Sequence, residues 1–372
     1  MQLPDPIVEL SADGADLDPR RHGAKAVGLQ RLMRLGLPVP AGVVIPEASA
    51  RVLAADPARA RSALHDAHTA IGAPARVAVR SGAAVSLPGA LETRLDVVFD
   101  DVGPAVAAVV ASAGSDRART VASALGHGGV PGTAVVVQRM VDAAADDASG
   151  AGAATSCDPI TGRPGAVGSF VWNRHGDAVM SGTVAPAALD GVEARLPQVY
   201  AQLVDALARL VDYIGSEVEA EFAVERGELW FLQLRTFAIA AIDDPPPPRG
   251  LREIARGVAA AGGTAHGRMY TDVDDALDAA DRGEAVVLVR PTTAPGDVAA
   301  MVRSAAIVTA HGSRESHAAV VARSLGIPAV VGVGALAFAA GDAVFAGRRI
   351  TTGEGLVVDG TAGSILVPPS DR

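Results

Sequence analysis

The segment Gly312-Ser313-Arg314-Glu315-Ser316-His317-Ala318-Ala319-Val320-Val321-Ala322-Arg323 sets one imidazole where a chain can handle an anion. The apolar run from Ala306 to Thr309 reads as a strand, and a loop of small and polar residues follows it. Ser316 stands where a serine caps a helix, and His317 falls in that helix's first turn. An imidazole there sees the positive end of the helix dipole and unpaired backbone N–H groups, which together hold phosphoryl groups. Arg314 and Arg323 could add charge-assisted contacts. From these residues alone, a histidine that merely caps a helix stands level with a phosphoryl carrier.

A second constellation runs from Glu219 to Arg235, where Ala220–Val224 and Leu229–Leu234 read as strands around a turn at Arg226-Gly227. Polyphosphate binding needs oxygen ligands for a hard divalent cation and a positive charge for the phosphates. Glu219, Glu221, Gln233 and Arg235 supply both. The turn decides whether they converge. A two-residue turn sends the two acids and the Gln/Arg pair to opposite faces. A three-residue loop ending with Gly227 in the left-handed region puts all four on one face. The plainer alternative is a charged, solvated strand edge.

Three weaker signals precede these. Lys25 sits in Gly23-Ala24-Lys25-Ala26-Val27-Gly28-Leu29, and Arg80 opens Arg80-Ser81-Gly82-Ala83-Ala84. Each alone reads as a solvated surface cation. Ser149-Gly150-Ala151-Gly152 is a lone Gly-x-Gly, weak as a motif. Its position after the Thr133–Met140 apolar run, with Asp158-Pro159-Ile160-Thr161-Gly162 following, suits a hairpin loop that covers phosphates.

The elements that must hold these residues divide at Asp243-Asp244-Pro245-Pro246-Pro247-Pro248-Arg249-Gly250, a stiff, solvated spacer. At 372 residues the chain suits two or three domains. Aromatics are only 3% against 49% hydrophobic residues, so the cores should be built from Ala and Val rather than large rings. Before the spacer we expect a helix from Lys25 to Arg34, a strand at Val77–Arg80 and an amphipathic helix from Pro197 to Ile214. After it we expect strands at Ala285–Val289, Ala306–Thr309 and Ala329–Val333, and a helix from His317 to Leu325. A net charge of −10 argues against a nucleic-acid surface. Cys157 is the only cysteine, so no intramolecular disulfide forms and a reducing compartment fits. No signal peptide or membrane span is legible, and the expected location is cytoplasmic.

The stretch from His311 to Gly334 closely resembles the phosphohistidine signature of the phosphoenolpyruvate-utilising enzymes, centred on Ser316-His317-Ala318-Ala319-Val320-Val321-Ala322-Arg323. The blocks around Lys25 and Arg80, the Ser149 to Gly162 region and the Glu219 to Arg235 region resemble the nucleotide-binding domain of the pyruvate phosphate dikinase and phosphoenolpyruvate synthase family. The resemblance covers nearly the whole chain. It implies an α/β (α+β) fold: an ATP-grasp-like domain over 1–240, the proline-rich linker over 241–252, and a swivelling β/β/α phosphohistidine domain over 253–372.

In the family, Lys25, Arg80, Ser149, Gly150, Gly152, Glu219 and Arg235 would bind ATP, and Glu221 and Gln233 would hold Mg²⁺, with the three-residue hairpin loop. His317 would carry the phosphoryl group in a loop with Gly312, Arg314, Ser316 and Arg323. The implied half-reaction turns ATP, inorganic phosphate and histidine into AMP, pyrophosphate and phosphohistidine. The Pro88-Gly89-Ala90-Leu91-Glu92-Thr93 and Asp158-Pro159-Ile160-Thr161-Gly162 stretches look more like the phosphate-using dikinase than the water-using synthase. Ser313, Glu315 and Cys157 depart from the usual pattern; Glu315 replaces a threonine that is a regulatory site in plant dikinases. The family's pyruvate site lies on a barrel of roughly 250 residues, and none is legible here, so a separate barrel protein is an expected partner. A stand-alone phosphotransferase for another small molecule and a non-catalytic nucleotide sensor are the alternatives.

Overall fold

Val43-Val44-Ile45, Val77-Ala78-Val79 and Val135-Val136-Val137 are buried, largely β-branched runs of the kind that favours strands. In the computed structural model they are the three inner strands of a five-stranded antiparallel sheet. Its members are β1 (Val8–Glu9), β2 (Gly42–Ile45), β3 (Arg76–Ala83), β4 (Thr93–Val98) and β5 (Thr133–Arg139), in the order β1-β2-β5-β3-β4. The structure describes residues 2–175 except 86 and 88, 187–237, 239, 247, 248, and 250–368 except 315. The proline-rich spacer expected over 241–252 therefore lies mostly outside the described residues.

One face of this sheet packs on Leu53 of the helix Glu47–Ala54 and on Val102, Val106 and Val109 of the helix Val102–Ser112. The core is made of small aliphatics, as the composition requires. Helix α1 (Pro19–Arg34) starts at Asp18, whose carboxylate accepts from the Arg20 N–H at 2.9 Å, and breaks at Gly23 (φ 81°, ψ 148°). The helix expected from Lys25 is its second segment. A further set of strands, β6 (Gly150–Cys157), β7 (Val218–Glu225) and β8 (Glu228–Thr236), runs in the order β8-β7-β6. Helix α2 (Pro197–Ile214) buries Val199, Leu203, Leu207 and Leu210 and stops at Gly215, in the left-handed region at φ 74°.

The chain divides into two compact units. Over the described residues, the first is drawn from Met1–Ser156, Trp172–His175 and Gly191–Phe237, and the second from Cys157–Val171, Gly176–Asp190 and Ala238–Arg372. The second unit thus takes in part of the first half of the chain. Its eight-stranded sheet has four central strands, Thr264–Tyr270, Val286–Arg290, Ala306–Thr309 and Ala329–Val331, all parallel. The helices Val273–Asp281, Val298–Arg303 and α3 (His317–Leu325) connect them in turn. The loops after Val286–Arg290 and after Ala306–Thr309 leave neighbouring parallel strands at the same sheet edge, the usual place for a site in such a sheet. The core here is Met269, Val287, Val289, Val308, Val330, Phe345, Val358 and Ile365.

Candidate active site

The β7–β8 hairpin turns on two residues, because Glu225 and Glu228 are direct partners and Arg226 (φ 53°) and Gly227 (φ 80°) both lie in the left-handed region. The expected three-residue loop is therefore wrong. The register instead shifts further along, where Phe231 pairs with Phe222 but Gln233 pairs with Glu221. Leu232 is the extra residue of a bulge. The bulge puts Gln233 directly opposite Glu221, and Arg235 opposite Glu219, so each pair shares a face of the sheet.

Arg80, on β3, reaches this face. Its Nη2 donates to Glu221 Oε2 at 3.0 Å and to Gln233 Oε1 at 3.4 Å, and its Nη1 donates to the Leu232 carbonyl exposed by the bulge. Arg235 Nη2 donates to Glu221 Oε1 at 3.4 Å. Arg80 is buried, and its Nε has no hydrogen-bond partner among the described residues.

Lys25 completes the group from the second segment of α1. Two glycines permit its approach. A Cβ on Gly23 would lie 2.1 Å from the Gly82 carbonyl oxygen, and one on Gly28 would lie 3.0 Å from the Leu234 oxygen. Gly23→Ala therefore meets both a clash with backbone and a positive φ. We expect it to cost about 3 kcal/mol or more, read as a lower urea midpoint.

Three cations thus surround one carboxylate. Burial would raise the Glu221 pKa, but Arg235, Arg80 and Lys25 outweigh it and hold the carboxyl below its usual range. Burial, with Arg80 and Arg235 adding to it and Glu221 opposing, pushes the Lys25 ammonium well below its ordinary value. Such a surplus of partly desolvated positive charge calls for an anion with several oxygens. For a divalent cation the site offers one carboxylate and one amide oxygen on paired strands. Among the described residues no three His, Cys, Asp or Glu converge. The donor set fits Mg²⁺ only if substrate phosphates complete its oxygen shell. Without them, Glu221 and Gln233 are both engaged by Arg80.

Ser149, Gly150 and Gly152 do not form the expected covering loop. Gly150 and Gly152 lie inside strand β6, opposite Val224 and Phe222, which places them on the sheet face away from Glu221. Ser149 is fully buried; its hydroxyl donates to Asp146 at 2.6 Å and accepts from the Arg226 N–H at 2.9 Å. It supports the hairpin turn rather than a ligand.

In the second unit, the loop after Ala306–Thr309 is pinned by the Ala310 and His311 N–H groups, which donate to the Arg290 and Pro291 carbonyls at 3.0 and 2.9 Å. Gly312 takes φ 131°, and a Cβ there would sit 2.9 Å from the Ser316 hydroxyl. His317 is buried and is the first residue of α3. Ser316 occupies the cap position but makes no side-chain cap; its hydroxyl donates to the Ser313 carbonyl at 2.8 Å. The expected serine cap is therefore not made. Arg323 donates to the Ala260 carbonyl at 3.1 Å and to the Arg314 carbonyl, so it braces the loop. Arg314 Nη1 pairs with Asp158 Oδ2 at 2.8 Å. Glu315 is outside the described residues.

Sequence reasoning did not single out Asp158, Gly23 or Leu232. For Asp158 the Asp-Pro-Ile-Thr-Gly turn was visible, but its partner lies 156 residues away.

Comparison with known proteins finds matches in both units. Residues 54–192 match the family described as pyruvate phosphate dikinase, AMP/ATP-binding domain, and residues 283–363 match PEP-utilising enzyme, mobile domain. Pyruvate, phosphate dikinase 2 of Oryza sativa subsp. japonica is 32% identical over 300 residues, covering 70% of this chain and 34% of the rice protein. Pyruvate, phosphate dikinase of Clostridium symbiosum is 30% identical over 272 residues, covering 63% of this chain and 31% of its own length. The chain spans about a third of the length of these curated relatives. Among solved structures, D-alanyl-alanine synthetase A from Vibrio cholerae aligns with a TM-score of 0.37 at 12% identity, over 63% of this chain and 58% of that one. No helix among the described residues is long and apolar enough to cross a membrane.

Proposed function

We propose that this chain, which belongs to the pyruvate phosphate dikinase family through its AMP/ATP-binding and mobile domains, is a dikinase-type phosphotransferase that charges His317 from ATP. The observation that carries the reading is the convergence of Lys25, Arg80 and Arg235 on Glu221 and Gln233. In this reading the three cations hold the ATP phosphates, with the spare Arg80 Nε among the donors. With the arginines on the phosphates, Glu221 and Gln233 would hold Mg²⁺, which would neutralise phosphate charge. Glu219, opposite Arg235, lies beside them. Val141, Ala143, Ala151, Ala223, Trp230 and Leu232 form one apolar cluster, and Ala151, Ala223 and Trp230 share the Glu221 face. That cluster suits the nucleoside base.

The products expected of a phosphate-using dikinase define the bonds. An imidazole nitrogen of His317 forms a bond to phosphorus and loses its proton. The bridge between the α- and β-phosphates breaks and AMP leaves. The bridge between the β- and γ-phosphates then breaks, one phosphoryl group remains on His317, and the other passes to inorganic phosphate, which loses a proton, as pyrophosphate. The helix-start amides of α3 then stabilise the phosphoryl charge. As the names of these relatives imply, pyruvate is the eventual acceptor.

Mass analysis after incubation with ATP, Mg²⁺ and inorganic phosphate tests the reading. The chain should gain one acid-labile, base-stable phosphoryl group, with AMP and pyrophosphate formed in equal amounts. An unchanged mass, or ADP in place of AMP, would contradict it.

A further inference from the structure

The ion pair between Asp158 and Arg314 joins two stretches of the second unit that lie far apart in sequence. Arg314 stands three residues before His317 in a tight turn closed by the Ser316 N–H donating to the Ser313 carbonyl at 3.1 Å. Its own carbonyl is held by Arg323, from the second turn of α3. The Arg314 backbone is therefore braced against the His317 helix, and the guanidinium is the part free to choose a partner.

Asp158 is held independently of that guanidinium. Its Oδ1 accepts from the Ile160 and Thr161 N–H groups at 2.9 and 3.0 Å, which leaves Oδ2 for Arg314. Burial disfavours the charged carboxyl, but the two backbone bonds and Arg314 hold its pKa below the usual range, so it is ionised at neutral pH. The pair is neither sealed nor fully solvated, with side-chain exposures of 28% for Arg314 and 16% for Asp158. A partner at that depth can be exchanged without unfolding anything.

A phosphoryl group on His317 carries more charge and more acceptor oxygens than one carboxylate. It would appear three positions along the chain from Arg314, whose guanidinium is paired among the described residues with Asp158.

Resting on the phosphohistidine reading above, we propose that Asp158 and the phosphoryl group on His317 compete for Arg314. In the discharged chain Arg314 ties the turn at 158–163 to the His317 loop. In the charged chain it turns to the phosphoryl oxygens and leaves Asp158 unpaired beside a new negative charge. Asp158 is then a positioning residue that opposes charging of His317, and the state of His317 sets whether the 158–163 turn is held.

The equilibrium between discharged and charged protein, at fixed ATP, AMP, phosphate and pyrophosphate, reads this out. Asp158→Asn keeps an oxygen for the Ile160 and Thr161 N–H groups but removes the charge that holds Arg314. It weakens the discharged state and costs the charged state nothing, so the charged fraction ratio should rise about three- to tenfold. In an Arg314→Met background the same substitution should raise the ratio much less, since only the direct repulsion between Asp158 and the phosphoryl group is then removed. No rise in Asp158→Asn, or a fall, overturns the proposal, as does a rise of undiminished size without Arg314. Should Arg314→Met not charge at all, the Asp158→Asn result decides alone. Wild-type protein that gains no phosphoryl mass defeats the functional reading and this one with it. Wild-type charging with no Asp158→Asn shift defeats only this one.

Discussion

His317→Ala protein incubated with ATP, Mg²⁺ and inorganic phosphate is expected to gain no phosphoryl group and to release no stoichiometric AMP. The effect should be close to total, on the order of a thousandfold or more, because removing a covalent nucleophile leaves nothing to take its place. Ala at the first position of α3 is a good helix former, and the loop ahead of it is held by backbone bonds and Arg323 rather than by the imidazole. The variant should fold. ATP should still raise its melting temperature, because the cation cluster belongs to the other unit. Acid-labile phosphorylation of His317→Ala would show that another residue is the carrier.

Glu221→Ala should have the next largest effect, on two readouts. On the proposed reading it should abolish charging of His317, because the carboxylate placed to hold Mg²⁺ would be gone. It also leaves Lys25, Arg80 and Arg235 without their shared counter-charge. Breaking such a group should cost about 2–4 kcal/mol, the lower part of the usual range, since a quarter of the Glu221 side chain meets water. The cost depends on pH. Because the folded pKa of Glu221 is depressed, its stabilisation is complete above the unfolded carboxylate value of about 4.3 and drains away as pH falls through the lower folded value. Urea midpoints of wild type and Glu221→Gln should differ at neutral pH and converge in acid. A gap that stays constant across that window would mean that the ion pairs do not provide the stabilisation.

The elements that carry these groups were mostly legible. Helix Pro197–Ile214 and helix His317–Leu325 follow from apolar spacing and stop at left-handed glycines, Gly215 and Gly326, as local rules predict. The hairpin was legible in its strands and misread in its turn. Arg226-Gly227 suits a two-residue turn, and the needed shift of face was ascribed to a longer loop. The true cause was written two turns of the pleat further on. Leu229 and Phe231 are buried at the strand period of two, but the next core residue on that face is Leu234, three positions along. A slip of one in an alternating pattern marks a bulge. Ser149-Gly150-Ala151-Gly152 misled in the opposite sense, since glycines that look like a loop are strand residues opposite Phe222 and Val224. The Arg80 contacts and the Asp158–Arg314 pair could not be read at all. Each joins residues more than 100 positions apart, and only the folded sheets bring them together.

Ser316 forgoes its cap, since its hydroxyl faces the Ser313 carbonyl and not the amides of α3. A helix start normally gains about 1 kcal/mol from a serine oxygen at that place. A phosphoryl group on His317 would bring oxygens to the same amides and supply the missing cap itself. Charging would then make the helix that carries it more heat-resistant, and handing the group on would return that helix to its uncapped, cooler-melting condition. The cargo and the firmness of its carrier would rise and fall together.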